Sequence, residues 1–284
     1  KMETQVGEGG VVEMEAQFGN VALDIIGKAV FNFDFGSVGE RNEIVEAVYQ
    51  VLQESEHRAM FVLPYWKDPL LRLLVPRQRK FSRNMKLISD TLNEMIAEAM
   101  RTQEQEDAEE LEKRDYNSLP NPSLLRFLVD LRGADVSEKQ LRDDMMTMLI
   151  AGHETTASVL TWCVFCLSQN QDVLTRLQEE VDRTLSDKAV PTIEQIREMQ
   201  LLRHVVTESL RLYPQPPLLI RRALEDTSLP TGNESQVLNV RKGVDMFIPT
   251  WSLHRSATLW ENPDKFDPDR WTREYRGDKS ISGW

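Results

Sequence analysis

One predicted helix limits the possible folds of this chain more than any other sequence feature. It begins at Ser137, which Gln140 follows in the pattern of a capping box, and no proline interrupts the chain again until Pro191. Apolar and small side chains recur at helical spacing along one face of this helix: Leu141, Met145, Met148, Leu149, Gly152, Thr156, Val159, Leu160, Cys163 and Leu167. The chain is therefore expected to be mainly helical.

Most of the remaining sequence has the same helical periodicity. Helices are predicted at 11–31, 42–57, 81–100, 124–131, 173–185, 193–199 and 201–212. Ser123 is the expected N-cap of the helix at 124–131, and loops are expected at 103–113 and 116–123. Beyond Leu212 the pattern changes to short strands at 218–220, 237–240 and 245–250, with turns at Gly232 and Gly243. The predicted fold class is mainly α with a small β region, in one domain spanning residues 1–284.

Composition and missing motifs exclude several classes of function. Acidic residues outnumber basic ones by 46 to 34, and the net charge of −12 argues against a nucleic-acid partner, because phosphate binding needs a basic field. Two cysteines rule out a disulfide framework, and Cys163 and Cys166 are expected to be buried thiols rather than a redox or metal pair. His153 and Glu154 begin a zinc-protease pattern, but Ala157 stands where the second histidine would be, so no metal site is predicted.

Small and polar residues occupy the middle of the long helix, at 151–156. Glycine and threonine are poor residues for a helix interior, and a threonine hydroxyl can bond the carbonyl one turn back. Two interpretations stay open. Small residues can let a flat molecule approach, with Glu154 and Thr155 passing protons into a dry cavity. Alternatively, they serve a close helix crossing, and Glu154 belongs to a surface pair.

A carboxylate and two guanidinium groups form a second candidate cluster. Glu208 and Arg211 lie three residues apart on a helix, which alone is typical of a weak surface pair. Arg270 offers a second guanidinium further along the chain. A carboxylate between two arginines can form a network that survives burial.

The segment from Ala59 to Lys80, residues 59–80, is apolar and aromatic but is interrupted by Pro64 and Pro69. Basic residues close it: Arg77, Arg79 and Lys80. One interpretation is a loop packed in the core. The other is a lip that dips into a membrane surface, with Trp66 at the headgroup level and the basic residues on anionic lipid.

In their order along the chain, these motifs resemble those of the cytochrome P-450 family of haem-thiolate monooxygenases. Residues 151–156 resemble its oxygen-activating helix motif, and Glu208 and Arg211 resemble its E-x-x-R pair. Residues 268–271 resemble its P-E-R-F segment, with Asp for Glu and Trp for Phe. Longer matches at 56–58, 75–81, 124–130 and 213–222 are similar to the plastid carotenoid-hydroxylase branch of plants and algae.

The resemblance implies a haem cofactor, O2 and an apolar substrate, with carotenoid ring hydroxylation as the reaction of the complete protein. Glu154 and Thr155 would relay protons, and Ala151 and Gly152 would leave room for oxygen and substrate. Arg221 would pair with a haem propionate. A substrate pocket would be lined by Leu218, Leu219 and Ile220, and a structural core would be held by Glu208, Arg211 and Arg270. A plastid, membrane-associated setting would suggest ferredoxin as the electron donor.

The resemblance also implies that part of the family's pattern is missing. In the family, the cysteine that ligates haem iron sits in a glycine-rich loop shortly after the P-E-R-F segment. Cys163 and Cys166 do not match it, since both precede the E-x-x-R pair. We therefore expect a cytochrome P-450 fold truncated at both ends, with no iron ligand and no activity of its own. The alternative is a non-catalytic helical binding protein or a pseudoenzyme remnant of the same fold.

Overall fold

The computed structural model describes residues 11–38, 43–101, 123–132, 137–185, 190–231 and 237–272. It falls into two compact units, Lys1–Ser158 and Val159–Trp284. The predicted loop at 103–113, most of the predicted loop at 116–123 and the predicted turn at Gly232 lie outside the described residues.

The described part of the first unit is helical. Its helices are α1 (Met14–Ile26), α2 (Glu43–Met60), α3 (Pro69–Leu74), α4 (Pro76–Arg101) and α5 (Leu124–Arg132). A π-helical turn, Gly27–Phe31, extends α1, and a 3-10 turn, Tyr65–Lys67, precedes α3. The long helix α6 (Glu138–Gln169) begins in this unit and continues past its boundary.

Capping residues begin these helices where side-chain oxygens meet free backbone N–H groups. The Ser123 hydroxyl accepts from the Arg126 amide at 3.1 Å, and the Ser137 hydroxyl accepts from the Gln140 amide at 3.2 Å. The Gln140 side chain donates forward to Asp144 at 2.9 Å, so we find only the first half of the predicted capping box. Helix α4 begins five residues before its predicted start, because proline is well suited to the first helical position and Pro76 occupies it.

The core of the first unit joins α1, α2, α4, α5 and the first half of α6. Its most deeply buried side chains are Leu23, Val48, Ile88, Leu92, Leu125, Met145 and Leu149. Ile88 and Leu92 on α4, and Met145 and Leu149 on α6, are four residues apart, so the apolar face of each of these helices is the face that packs.

The second unit combines helices with two small antiparallel sheets. Its elements are α7 (Gln171–Thr184), α8 (Ile193–Glu198), α9 (Gln200–Leu212), β1 (Leu219–Arg222), β2 (Thr227–Pro230), β3 (Val237–Val240), β4 (Asp245–Ile248), α10 (Thr250–Leu253) and a 3-10 turn (Pro268–Thr272). Strand β1 pairs with β4 from Leu219↔Ile248 to Arg222↔Asp245, and β2 pairs with β3. The prediction of a mainly α fold with a small β region is confirmed. Strand β2 was not predicted, because its four residues are all exposed and carry no alternation.

Candidate active site

Between residues 151 and 157, one face of α6 packs against helices α1 and α2 of the same unit. A Cβ added to Gly152 would lie 2.4 Å from Cδ1 of Ile26, so the absence of a side chain lets α6 approach α1 closely. His153 is 1% exposed, and its ring meets the Tyr49 ring edge-on, with the centroids 4.9 Å apart. Gly152 therefore lies at a close helix crossing, where the Ile26 side chain occupies the space that a side chain at position 152 would need.

The other face of the same turn is open. Ala151, Glu154, Thr155 and Thr156 are exposed. The Thr155 hydroxyl donates to the Ala151 carbonyl at 2.6 Å, one turn back along the helix. Partial burial of the carboxylate, and then the negative charges of Glu56 and Glu15, raise the pKa of Glu154. An acid that holds its proton more strongly than an ordinary glutamate thus lies next to an alcohol, an arrangement that suits proton transfer.

In the second unit, the structure brings Glu208, Arg211 and Arg270 together. Glu208 is completely buried and receives two hydrogen bonds from Arg211, each 2.9 Å long, in a bidentate pair. Nε of Arg270 lies 3.4 Å from Oε1 of Glu208. The three residues form the buried network that a carboxylate between two arginines makes possible.

Sequence reasoning missed several further members of this network. Nε1 of Trp271 donates to Glu208 at 3.1 Å, and the backbone amide of Asp267 donates at 3.0 Å. Arg211 also donates to three backbone carbonyls, those of His254, Pro263 and Lys265. Tryptophan in place of phenylalanine at position 271 was the available signal, because an indole N–H can donate a hydrogen bond and a phenyl ring cannot.

Leu218 directly precedes strand β1, which carries the other remaining predicted site residues. Leu218 and Ile220 are exposed, and Leu219 is half-buried. Arg221 is exposed, donates to the Ile220 carbonyl at 2.9 Å, and has no carboxylate partner within the described part of the chain. The next residue, Arg222, is paired with Asp245 across the sheet at 2.7 Å. Of the two adjacent arginines, Arg221 thus keeps a guanidinium available for an anionic group.

The two cysteines do not fit the role of a thiolate ligand to haem iron. Cys163 and Cys166 are both buried on α6, and burial raises the pKa of each thiol, that of Cys166 to about 11. Both thiols are therefore protonated at neutral pH, whereas the iron ligand is a thiolate. The exposed Thr155 and Arg221 do fit contact with a bound group, each within its own unit.

The described residues contain neither a metal-binding cluster nor a membrane-spanning helix. No group of three or more histidine, cysteine, aspartate or glutamate side chains there is arranged to hold a metal ion. Among the helices that the structure describes, none combines the length and the apolar character needed to cross a bilayer.

Comparison with known proteins places this geometry in a family. The family model described as cytochrome P-450 matches residues 1–282. The chain is 50% identical to the chloroplastic cytochrome P-450 97B2 of Glycine max, over 96% of this chain and 47% of that protein. It is 45% identical to the chloroplastic protein LUTEIN DEFICIENT 5 of Arabidopsis thaliana, over 95% of this chain and 44% of that protein. It is 42% identical to the chloroplastic carotene epsilon-monooxygenase of the same plant, over 95% of this chain and 49% of that protein.

The chain thus spans about half the length of the curated relatives it matches. Among solved structures, it resembles the crystal structure of the heme domain of cytochrome P450DA with a TM-score of 0.73 at 25% identity, covering 93% of this chain and 53% of that one. With a family model matched along almost its whole length and relatives that share up to half of its residues, this chain belongs to the cytochrome P-450 family.

Proposed function

We propose that the protein carrying this chain is a haem-dependent monooxygenase that uses O2 to hydroxylate the ring of a carotenoid. Family membership supports the reaction class, and the names of two relatives, LUTEIN DEFICIENT 5 and carotene epsilon-monooxygenase, support the substrate. The observation that carries the proposal is the open face of α6, where an acid with a raised pKa lies beside an exposed alcohol.

When bound, haem supplies the activation of dioxygen. Glu154 would take a proton from water and hold it, because partial burial and neighbouring acids disfavour its charged form. Rotation of the Thr155 hydroxyl away from the Ala151 carbonyl would let it donate toward the open face. The small Ala151 side chain leaves that face unobstructed, whereas Gly152 serves the packing of α6 on α1.

The remaining predicted residues take supporting roles. Arg221 would pair with a propionate of the haem, which its exposed guanidinium allows. An apolar substrate would lie against Leu218, Leu219 and Ile220. Glu208, Arg211 and Arg270 would hold the fold of the second unit. Because both thiols of the chain are buried and protonated, neither Cys163 nor Cys166 is proposed as the iron ligand.

The proposed location is the plastid, since the relatives reported above are named chloroplastic. Ferredoxin is the proposed electron donor, because it is the soluble reductant expected in that compartment. The test is reconstitution of electron transfer with ferredoxin and its reductase, using a flavin-containing P-450 reductase for comparison. Carotenoid turnover that occurs with the flavin-containing reductase but not with ferredoxin and its reductase would contradict the proposed donor.

Labelled oxygen tests the proposed reaction. The protein that carries this chain is given carotene in vesicles, an electron donor and ¹⁸O2, and the products are identified by mass spectrometry. We expect one labelled hydroxyl oxygen per hydroxylation, and the label must be absent when only the water is labelled. Carotene that returns unchanged from haem-loaded, reduced protein would contradict the substrate and would favour the non-catalytic alternative.

We also propose that the segment at 59–80 contacts a membrane surface. Its apolar side chains are exposed rather than packed in the core of the first unit, and the most exposed are Met60, Val62, Leu63, Leu70 and Leu74. Trp66 is half-buried, with Tyr65 edge-on at 5.4 Å, so these aliphatic residues rather than Trp66 would enter the lipid. Exposed Arg79 and Lys80 would face anionic headgroups.

Vesicle flotation tests the membrane contact. Changing Val62, Leu63 and Leu70 together to serine should reduce binding to vesicles of phosphatidylcholine containing phosphatidylglycerol. The matched control changes three apolar residues that are as exposed but lie elsewhere to serine: Val11, Val190 and Leu224. Equal flotation of the two triple variants would contradict the proposed contact.

A further inference from the structure

A buried carboxylate, Glu54, is bonded to residues at both ends of the apolar segment at 59–80. Glu54, near the end of α2, is 3% exposed and accepts hydrogen bonds from Arg58 at 2.9 Å and from Gln78 at 2.7 Å. It is also paired with Arg77. The amide oxygen of Gln78 in turn accepts from Arg58 at 2.6 Å, so each of these polar groups has at least one partner.

The positions of these residues in the chain give the network its meaning. Glu54 and Arg58 precede the segment at 59–80, and Arg77 and Gln78 lie near its end, on the first turn of α4. The network, which we call the Glu54 clasp, therefore joins the two ends of the excursion between α2 and α4. Sequence spacing predicts the pair of Glu54 with Arg58, four residues apart on one helix, but not the contact with Gln78, which lies 24 residues from Glu54.

The clasp also contacts aromatic residues, two of them inside the segment and one, Phe81, directly after it. The Gln78 amide lies 3.4 Å from the Tyr65 hydroxyl. The Arg58 guanidinium lies 5.5 Å from the centre of the Trp66 ring and 3.9 Å from that of Phe81. The inner side of the segment is thus held by polar and cation–π contacts, and its exposed apolar residues lie on the remaining surface.

We propose that the Glu54 clasp preforms the segment as a membrane-contact surface, so that bilayer binding depends on a carboxylate that itself touches no lipid. This inference rests on the membrane contact proposed above. The physical reason is preorganisation: a segment already ordered in its bound shape does not lose conformational freedom when it enters the lipid. Charge favours an anionic surface as the partner. Glu54 is paired with two arginines of the clasp, and three further basic residues stay exposed: Lys67, Arg79 and Lys80.

The test compares two readouts in the whole protein. Glu54→Gln keeps the shape of the side chain and removes its charge. We expect trypsin to cleave faster after Lys67 and vesicle binding to weaken about tenfold, which corresponds to about 1.4 kcal/mol. Glu94→Gln, an exposed position on α4, is the matched control for the loss of one negative charge and should leave both readouts unchanged.

A second variant covers the case in which Glu54→Gln fails to fold. Arg77→Gln removes one contact from the clasp at a side chain that is 48% exposed, so it leaves Glu54 with Arg58 and Gln78 as partners. We expect the same two effects, smaller in size, with an unchanged melting temperature. If folded variants bind vesicles and are cleaved as the parent is, the clasp proposal is wrong while the membrane contact stands. If the parent itself binds no vesicles, both proposals are overturned.

Discussion

Glu208 has no exposed surface, yet three side chains and one backbone amide donate hydrogen bonds to it. A buried charge is costly unless such partners replace water, so the side chain and its donors must be considered together. His153 is also buried, but unlike Glu208 it has no hydrogen-bond partner at either ring nitrogen within the described residues. Glu208 therefore leads to a prediction about the stability lost on substitution, and His153 to one about the pH dependence of stability.

Removal of the Glu208 carboxylate should destabilise the protein strongly. Glu208→Ala would leave Arg211 and Arg270 buried near each other without a counter-charge, at a cost of about 3–5 kcal/mol. Urea unfolding measures this change, and Glu225→Ala, at an exposed position in the same unit, is the control. A Glu208→Ala protein that unfolds at the parent's urea concentration would refute the structural role of the network.

The pH dependence of stability should contain a contribution from His153. Burial lowers the pKa of His153 below its ordinary value, so the folded state resists a proton that the unfolded state accepts. The free energy of unfolding should therefore fall as the pH drops below about 6.5, the usual pKa of an unfolded histidine. His153→Phe keeps the edge-on contact with Tyr49 and should weaken this fall, measured by urea unfolding at pH 7 and pH 5.

Two features of the protein bear on the interpretation of that measurement. Burial also lowers the pKa of His254, so part of the acid destabilisation should persist in the His153 variant. Tyr49 and Gly19 face the His153 ring from α2 and α1, and neither gains charge between pH 7 and pH 5. An identical pH dependence in parent and variant would show that His153 does not contribute.

At the scale of elements, helix ends and crossings are controlled by single residues from other helices. Glu180, on α7, accepts hydrogen bonds from the Leu201 and Leu202 amides at 3.0 and 2.9 Å and so caps the first turn of α9. The Ile26 side chain of α1 occupies the space beside Gly152 of α6. The positions of α6 and α9 thus depend on residues far away in sequence.

The crossing of α1 and α6 predicts a measurable coupling. Gly152→Ala gains helix propensity of about 1 kcal/mol but forces Ile26 to move, and overpacking costs about 1–3 kcal/mol. The substitution should be tolerated better in an Ile26→Val background, with a coupling energy of about 0.5–3 kcal/mol in a double-mutant cycle of unfolding free energies. Additive effects of the two substitutions would mean that these helices do not meet at Gly152.

At the scale of the whole molecule, each compact unit holds its own set of proposed site residues. Ala151, Glu154 and Thr155 belong to the first, and the β1 residues and the Glu208 network belong to the second. The proposed reaction supplies the test at this scale.

Thr155→Ala should uncouple electron use from product formation in the complete, haem-loaded protein. Loss of a positioned proton donor typically lowers a rate by about 10²- to 10⁴-fold, and the electrons not used for product should appear as peroxide. Product and peroxide are measured per electron consumed. Thr147→Ala is the matched control, since Thr147 also donates to the carbonyl one turn back, at 2.9 Å, on the same helix. Equal coupling in the two variants would argue against a proton-relay role for Thr155.

Local physics explains why much of this protein could be predicted from its sequence. The periodicity of apolar residues identified every long helix, and hydroxyl side chains marked the starts of α5 and α6. The order of the motifs identified the family, because short, specific residue sets are local in sequence. Strand β2 was missed because its four residues are all exposed and carry no alternation. The early start of α4 was missed although Pro76, at the first helical position, is a local signal for it.

Contacts between distant residues could not be predicted in this way. Trp271 and the carbonyls around Arg211 complete the Glu208 network across more than 40 residues, and Glu54 meets Gln78 across 24. Ile26 occupies the space beside Gly152 from another helix. Helix periodicity specifies which face of an element is apolar, but not which element will cover it. That choice depends on side-chain packing and on the need of each buried charge for partners, both of which exist only once the chain has folded.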